Sequence, residues 1–213
     1  MGPIGIFGGT FDPIHYGHLR TALEVLQRLS LTKVCFVPCA DPPHRDAATA
    51  AGASRLDMVR AAVADQSSFV VDDREFKREG PSYSVDTLGS LRSENPAVSL
   101  CLLMGMDSFL GLPGWYHWEK ITTLAHIVVA HRPGWRVPED GVLGELLRER
   151  GTAEVASLHD SMCGHVFVTP VTQLEISATR LRASLNAGVD PKFLMPDCVR
   201  QIIIESGCYV ENY

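Results

Sequence analysis

Short apolar runs alternate with helical patterns along most of the chain, and this alternation constrains the fold more than any other feature. Six runs are apolar at nearly every position, which is typical of parallel strands buried on both faces. They are Ile4–Phe7, Val34–Pro38, Phe69–Asp72, Leu100–Gly105, Ile127–His131 and Val166–Thr169. Between the first two, Leu19, Leu23 and Leu26 share one face of an amphipathic helix. Repeated strand–helix units with right-handed crossovers predict an α/β fold, a Rossmann-like doubly wound parallel sheet.

The length of 213 residues is typical of one domain, and we predict a single domain over residues 1–213. The segment 134–164 is rich in Gly, Pro and charged residues around a short helix, and we interpret it as a surface excursion. Residues 177–213 are predicted to be a small helical C-terminal part. Its expected buried positions and helix cap are Val199, Ile202, Ile203 and Gly207.

Composition and charge narrow the class of protein. Hydrophobic residues make up 46% of the chain and charged residues 21%, which allows a packed core. Nineteen Lys and Arg against twenty-five Asp and Glu give a net charge of −6, so we expect no nucleic-acid partner. No apolar run of about 18 residues occurs, and no membrane partner is expected. The first residues lack a secretion signal, so we expect a cytoplasmic protein.

The six cysteines raise the alternatives of a disulfide framework and a metal site. They contain no Cys-x-x-Cys pair, and Cys35 and Cys39 lack a second pair of ligands at zinc-site spacing. Cys101 lies inside an apolar run and is interpreted as a small core residue. We therefore expect reduced thiols and no metal bound by protein side chains.

The segment Gly8–His18, GGTFDPIHYGH, follows the first strand and opens the first helix. Its glycines permit close approach of the backbone to an anion, and the N–H groups at a helix start favour phosphate. His15 and His18 are three residues apart, so on a first helical turn they point to one side, and Gly17 leaves room between them. Each imidazole can donate a hydrogen bond to a phosphate oxygen. The pattern matches neither the dinucleotide nor the Walker motif, which disfavours an oxidoreductase.

A second segment, Ile176–Arg182, has the features of a phosphate-binding helix start. Ser177 is a good N-cap, and Thr179 and Arg182 then share one face of the helix. A helix N-terminus that carries a hydroxyl and a guanidinium favours phosphate. The structural alternative is an ordinary capped surface helix.

These two segments resemble the His-x-Gly-His and Ile-Ser-x-Thr-x-x-Arg signatures of the nucleotidyltransferases. Further stretches resemble bacterial nicotinate-nucleotide adenylyltransferases in particular, in the same order and spacing. They are Pro42–Arg45, Pro81–Ser84, Gly105–Ser108, Leu112–Tyr116 and His131–Gly134. The resemblance covers nearly the whole chain. It departs at Ser84 and Gly114, where the family usually has Thr.

The resemblance implies a role for each motif residue, with His15, His18 and Arg182 in catalysis. The residues it assigns to ATP are Gly8, Gly9, Thr10, Phe11, His15, His18, Gly105, Asp107, Ile176, Ser177 and Arg182. The residues it assigns to the mononucleotide are His44, Arg45, Tyr83, Ser84, Trp115, Tyr116 and Arg132. Trp115 would stack on the pyridine ring, and backbone N–H groups of Ser84 and Tyr116 would receive the nicotinate carboxylate. The structural alternatives are a core role for Trp115 and a capping role for Asp107.

The implied reaction joins ATP and nicotinate mononucleotide into deamido-NAD and pyrophosphate. The mononucleotide phosphate is ionised at neutral pH, so catalysis needs positioning and charge neutralisation but no general base. Mg²⁺ is expected to enter with ATP, since no carboxylate cluster marks a fixed site. The alternatives are another nucleotidyltransferase, such as a pantetheine-phosphate adenylyltransferase, and a nucleotide-binding module without turnover.

Overall fold

The predicted alternation of strands and helices is present in the computed structural model, which describes residues 2–42, 48–131, 138–172 and 174–209. The strands are β1 Ile4–Gly9, β2 Lys33–Pro38, β3 Phe69–Val71, β4 Leu100–Gly105, β5 His126–His131, β6 Gly151–Thr152 and β7 Val166–Pro170. The α-helices are α1 Tyr16–Arg28, α2 Gly52–Val63, α3 Ser84–Glu94, α4 Met106–Leu110, α5 Ile121–Leu124, α6 Gly141–Arg150, α7 Val155–Asp160, α8 Ala178–Asn186 and α9 Asp197–Ser206. Short 3₁₀ turns lie at Arg74–Lys77, Leu112–Gly114 and Trp118–Lys120.

The strands form one sheet in the order β3-β2-β1-β4-β5-β7-β6. β1 runs parallel to β4 with Ile4 opposite Leu100, and the pairs β4–β5, β5–β7 and β6–β7 are parallel as well. β2 and β3 follow β1 on one side of the sheet, and β4, β5 and β7 follow on the other with β6 at the edge, which confirms the predicted doubly wound fold. The order reverses between β1 and β4, and ligands of such sheets bind beyond the carboxyl ends of the strands at that point.

The central strands are buried on both faces, which is why their sequences show no alternation of polar and apolar residues. In β5, the side chains of Ile127, Val128 and Val129 are all fully buried. Cys101 is buried in β4, as predicted, and all six cysteines are free. In the parts of the chain that the structure describes, no helix is both long and apolar enough to cross a membrane.

The chain folds as two compact units, each built from three separate stretches. The sheet unit comprises Met1–Gly8, Thr21–Cys35 and Tyr83–Gln173, and the motif unit comprises Gly9–Arg20, Phe36–Ser82 and Leu174–Tyr213. Within the motif unit α2 packs against α9, which buries Val199 and Ile203 and leaves Ile202 half-buried. Gly207 ends α9 in the left-handed conformation and donates its N–H to the Ile203 carbonyl, which confirms the predicted cap. The predicted single domain over residues 1–213 stays a prediction.

The described part of segment 134–164 contains more regular structure than the predicted short helix. α6 buries Leu143 and Leu146, and α7 buries Leu158, whose carbonyl accepts the Ser99 hydroxyl at 2.6 Å. β6 adds a short edge to the sheet by pairing with β7. A strand of two residues has no period that a sequence pattern could show, so β6 was not predicted.

Candidate active site

The loop after β1 lies in the motif unit and begins with a tight approach between Gly9 and Phe11. A Cβ added at Gly9 would lie 3.0 Å from the Phe11 ring, so the glycine is needed for this turn. Phe11 takes a positive φ of 48° and its side chain is buried. Its ring meets the His18 ring edge to face, with 5.2 Å between the centroids. The predicted ATP residues Gly9 and Phe11 therefore shape the loop and support the second histidine.

The two predicted catalytic histidines stack on each other. Their ring centroids are 3.8 Å apart, and the planes differ by 25°. The His15 backbone N–H donates to His18 Nδ1 at 3.3 Å, so the proton of a neutral His18 ring lies on Nε2. The predicted placement of both rings on one side is confirmed.

His15 is buried, with 5% of its surface exposed. Burial disfavours the charged imidazolium and lowers the pKa of His15 to about 4, so its ring is neutral at pH 7. Its Nδ1 atom is buried and has no hydrogen-bond partner among the described residues. The charge of His15 depends on burial, so the sequence alone does not show it.

Gly17 makes room for the histidine pair, as predicted. A Cβ at this position would lie 2.9 Å from His15 Nδ1 and 3.0 Å from His15 Cε1. The same Cβ would lie 3.7 Å from the Ile176 carbonyl oxygen, which brings the second motif to this point. The two sequence signatures thus meet within the motif unit.

Arg182, the third predicted catalytic residue, is held by the first motif. Its Nη1 donates to the Asp12 carbonyl oxygen at 2.7 Å and lies 3.8 Å from Asp12 Oδ2. Its Nη2 donates to Thr179 Oγ1 at 3.5 Å, which confirms that Thr179 and Arg182 share a face of α8. Ser177 occupies the predicted N-cap of α8, but its exposed side chain makes no capping hydrogen bond. The predicted capping bond is wrong, while the position of the helix start is right.

Asp12 is a site residue that sequence reasoning missed. Its buried carboxylate accepts the backbone N–H groups of Thr49 and Ala50, at 2.8 and 3.1 Å, and the Tyr209 hydroxyl at 2.6 Å. Thr49, Arg182 and Tyr209 line a common cleft of about 420 Å³. Asp12 lies inside the conspicuous motif, but its partners are 37 to 197 residues away in the sequence. No local pattern therefore indicated this role.

Arg55 is a second residue that was missed, because a fully buried arginine is rare. Only 1% of its surface is exposed. Its guanidinium donates to the carbonyl oxygens of Thr10, Cys39, Ala40 and Ala50, at distances of 2.7, 2.6, 3.2 and 3.2 Å. One side chain thus joins the loop after β1 to the segments that precede α2.

The remaining predicted residues that the structure describes belong to the sheet unit. Gly8 is exposed in β1, Gly105 ends β4, and Asp107 is exposed in the first turn of α4. The predicted alternative of a capping Asp107 is wrong, because the N-cap of α4 is Gly105.

The predicted mononucleotide residues include a pair of contacting aromatic rings. The Tyr83 and Tyr116 rings lie 4.4 Å apart, and Tyr116 is 48% exposed. Trp115 is half-buried, and Ser84 is the first residue of α3. The first N–H groups of a helix have no intrahelical acceptor, so the backbone of Ser84 is suited to an anion. Predicted residues His44, Arg45 and Arg132 lie outside the described residues.

Among the described residues, no group of three or more His, Cys, Asp or Glu side chains is placed to hold a metal ion. Asp12 supplies the carboxylate of the loop, and its oxygens are engaged by two N–H groups and a hydroxyl.

The fold and the site define the class, and the chain is a nucleotidyltransferase. The family model described as cytidylyltransferase-like matches residues 6–184. A probable nicotinate-nucleotide adenylyltransferase of Aeromonas hydrophila is 47% identical over 97% of each chain. The Halorhodospira halophila protein of the same name is 46% identical over 97% of this chain and 94% of its own. The chain belongs to the family of nicotinate-nucleotide adenylyltransferases, as the motifs predicted.

Two solved structures of another protein have the same fold as this chain. The Plasmodium falciparum nicotinic acid mononucleotide adenylyltransferase complexed with NaAD superposes with a TM-score of 0.75 at 17% identity, over 98% of both chains. The same enzyme complexed with APC gives a TM-score of 0.73 at 18% identity, also over 98% of both chains. At these identities the likeness establishes the architecture of the sheet and its connections.

Proposed function

We propose that the chain transfers the adenylyl group of ATP to nicotinate mononucleotide, giving deamido-NAD and pyrophosphate in NAD biosynthesis. Close relatives that carry this activity in their name support the substrate pair. The observation that carries the proposal is geometric: a stacked histidine pair and Arg182 converge on one loop at the start of α1. Such a group of donors suits a polyphosphate.

In this proposal the ATP phosphates bind at the helix starts of the motif unit. The backbone of Gly9 and Thr10 approaches the phosphates, and His18 donates from Nε2. His15 donates as a neutral ring, because its pKa is lowered to about 4. Arg182 supplies the positive charge, with Ile176 and Ser177 beside it at the start of α8. Gly8, Phe11, Gly105 and Asp107 complete the proposed ATP set, with Asp107 on a ribose hydroxyl.

The proposed chemistry is an in-line displacement at the α-phosphorus. A mononucleotide phosphate oxygen forms the new bond, and the bond from the α-phosphorus to the bridging oxygen of pyrophosphate breaks. The attacking oxygen is already ionised, so the protein residues position the groups and stabilise charge on the phosphoryl oxygens. A neutral His15 and an Nε2-protonated His18 suit that task, since both can donate without first taking up a proton.

Mg²⁺ is proposed to arrive with ATP and, when bound, to neutralise charge on the departing pyrophosphate. The occupied oxygens of Asp12 support an ion held by phosphate oxygens. Arg182 and His18 would then contact phosphate oxygens that the ion leaves accessible.

Four of the proposed mononucleotide ligands, Tyr83, Ser84, Trp115 and Tyr116, belong to the sheet unit. Trp115 stacks on the pyridine ring, beside the Tyr83–Tyr116 pair. The backbone N–H groups of Ser84 and Tyr116 receive the carboxylate. His44, Arg45 and Arg132 are proposed as further mononucleotide ligands on the strength of the motif match.

The proposal is tested by pyrophosphate release with ATP, Mg²⁺ and one acceptor at a time. Nicotinate mononucleotide should support turnover and pantetheine phosphate should not. His18→Ala should lower kcat at least about a hundredfold, the usual range for a donor to transition-state charge. His159→Ala is the matched control, because this exposed histidine lies in α7, and its kcat should equal that of the wild type. Turnover with pantetheine phosphate alone would refute the assignment.

A second test separates the acid from the amide. A carboxylate only accepts hydrogen bonds, whereas the nicotinamide NH₂ would face backbone donors at about 1–3 kcal/mol of cost. We expect kcat/KM at least about tenfold higher for nicotinate mononucleotide than for nicotinamide mononucleotide. Ser84→Ala should leave this ratio unchanged, while Ser84→Pro removes the N–H and should collapse it. Equal efficiencies in the wild type would contradict the carboxylate model.

A further inference from the structure

The carboxylate of Asp12, in the loop after β1, lies at the centre of a hydrogen-bond network. An anion beside a polyphosphate site is electrostatically unfavourable, so its presence calls for a structural reason. Each oxygen is directed by a donor from elsewhere in the chain: Oδ2 by the Thr49 N–H, and Oδ1 by the Ala50 N–H and the Tyr209 hydroxyl. The carboxylate is therefore held in one orientation.

Arg182 is attached to the same residue. It donates to the Asp12 carbonyl oxygen at 2.7 Å, and its Nη1 lies 3.8 Å from the carboxylate. The arginine side chain is 28% exposed and lines the cleft, so part of it remains accessible to a ligand. The orientation of Arg182 thus depends on the conformation of Asp12.

Tyr209 closes the network from the end of the chain. It follows the Gly207 turn that ends α9, and it is buried with 6% of its surface exposed. Burial, followed by the hydrogen bond to Asp12, raises the pKa of the Tyr209 hydroxyl, which therefore stays protonated as a donor. The hydroxyl has a defined acceptor at 2.6 Å.

We propose that Asp12 and Tyr209 are positioning residues for Arg182, and that the hydrogen bond between them in this way raises the enzyme's affinity for ATP. This inference rests on the proposed function, in which Arg182 holds the triphosphate. Removing either group would allow the guanidinium to leave its binding orientation.

The first test is Tyr209→Phe, which removes one hydroxyl. A hydrogen bond to a charged group is worth about tenfold or more in an equilibrium constant, and part of this reaches Arg182. We expect kcat/KM for ATP to fall at least about fivefold, with KM for the mononucleotide unchanged. Calorimetry with ATP alone should show the same loss in affinity. Ile203→Val, a conservative core change in α9, controls for lost stability and should leave both constants unchanged.

A double-mutant cycle with Arg182→Ala distinguishes positioning from a merely structural role. If Tyr209 acts through Arg182, Tyr209→Phe should change ATP affinity less than about twofold in the Arg182→Ala background. Asp12→Asn is the second variant. The amide NH₂ of the new side chain would face a backbone N–H donor, so the side chain should lose its orientation and ATP affinity should fall in this variant too. An equal effect of Tyr209→Phe in both backgrounds, or tighter ATP binding by Asp12→Asn, would overturn the inference. An inactive wild type would instead count against the proposed function.

Discussion

Gly17 and Gly89 allow one chemical change to be compared at two helical positions. Both glycines lie in α-helices, where alanine is favoured by about 1 kcal/mol. A Cβ at Gly89 meets no atom within 4 Å, so Gly89→Ala should raise the free energy of unfolding by about 0.5–1 kcal/mol. A Cβ at Gly17 lies 2.9 Å from His15 Nδ1. The His15 ring is buried and stacked at 3.8 Å on His18, so it cannot move alone.

The cost of that contact follows from overpacking, which is about 1–3 kcal/mol in a packed interior. Because the higher helix propensity of alanine offsets about 1 kcal/mol of this cost, Gly17→Ala should lower the free energy of unfolding by up to about 2 kcal/mol. The effect on turnover should be larger, because a misplacement of about 1 Å costs about a hundredfold in rate. A ring shift of a few tenths of an ångström should then lower kcat about tenfold.

Urea unfolding followed by tryptophan fluorescence measures stability, and pyrophosphate release at saturating substrates measures kcat. We expect Gly89→Ala to be more stable than the wild type with the same kcat, and Gly17→Ala to be less stable and slower. If Gly17→Ala is as stable as Gly89→Ala and its kcat stays within about threefold of the wild type, the histidine pair is not sterically fixed by Gly17, and the reasoning is wrong.

Arg55→Met should lower the free energy of unfolding by about 3 kcal/mol or more in urea titrations, because four carbonyl groups lose a charged donor. The control is Arg60→Met in the same helix, which should cost less than about 1 kcal/mol because Arg60 is exposed. Burial lowers the pKa of His15 to about 4 and also lowers the pKa of His126. On acidification these histidines therefore take up protons in the unfolded chain first, near pH 6.5. The free energy of unfolding should accordingly fall from about pH 7 towards pH 4. His126→Asn should reduce the difference between the free energies of unfolding at pH 7 and pH 5, each measured by urea titration. An equal difference in the variant and the wild type would contradict the lowered pKa of His126. Trp115→Ala should weaken mononucleotide binding by about 1–3 kcal/mol in calorimetry and leave ATP binding unchanged; equal losses for both substrates would instead indicate a core role for Trp115.

Local patterns were sufficient to predict the main motifs and the positions of six of the seven strands along the chain. The apolar run Leu100–Gly105 coincides with β4, and the segment that ends at His18 leads into α1. These predictions succeeded because the apolar residues of a buried strand, and the residues of the motif Gly8–His18, are consecutive in the sequence. Local patterns did not predict the two-residue strand β6 or the absence of a capping hydrogen bond from Ser177. Both depend on neighbours outside the local segment.

The sequence by itself determined the fold class, the family and the identity of the histidine pair. Only the tertiary structure decided the charge of His15 and the hydrogen-bond partners of Asp12, Arg55 and Tyr209. The charge of a histidine depends on how far folding removes it from water, which is a property of its surroundings. The hydrogen bond from Tyr209 to Asp12 joins residues 197 positions apart, and Arg55 collects carbonyl groups from three segments. Such contacts leave no periodic trace in a sequence, because the chain brings these atoms together only when the sheet and helices have packed.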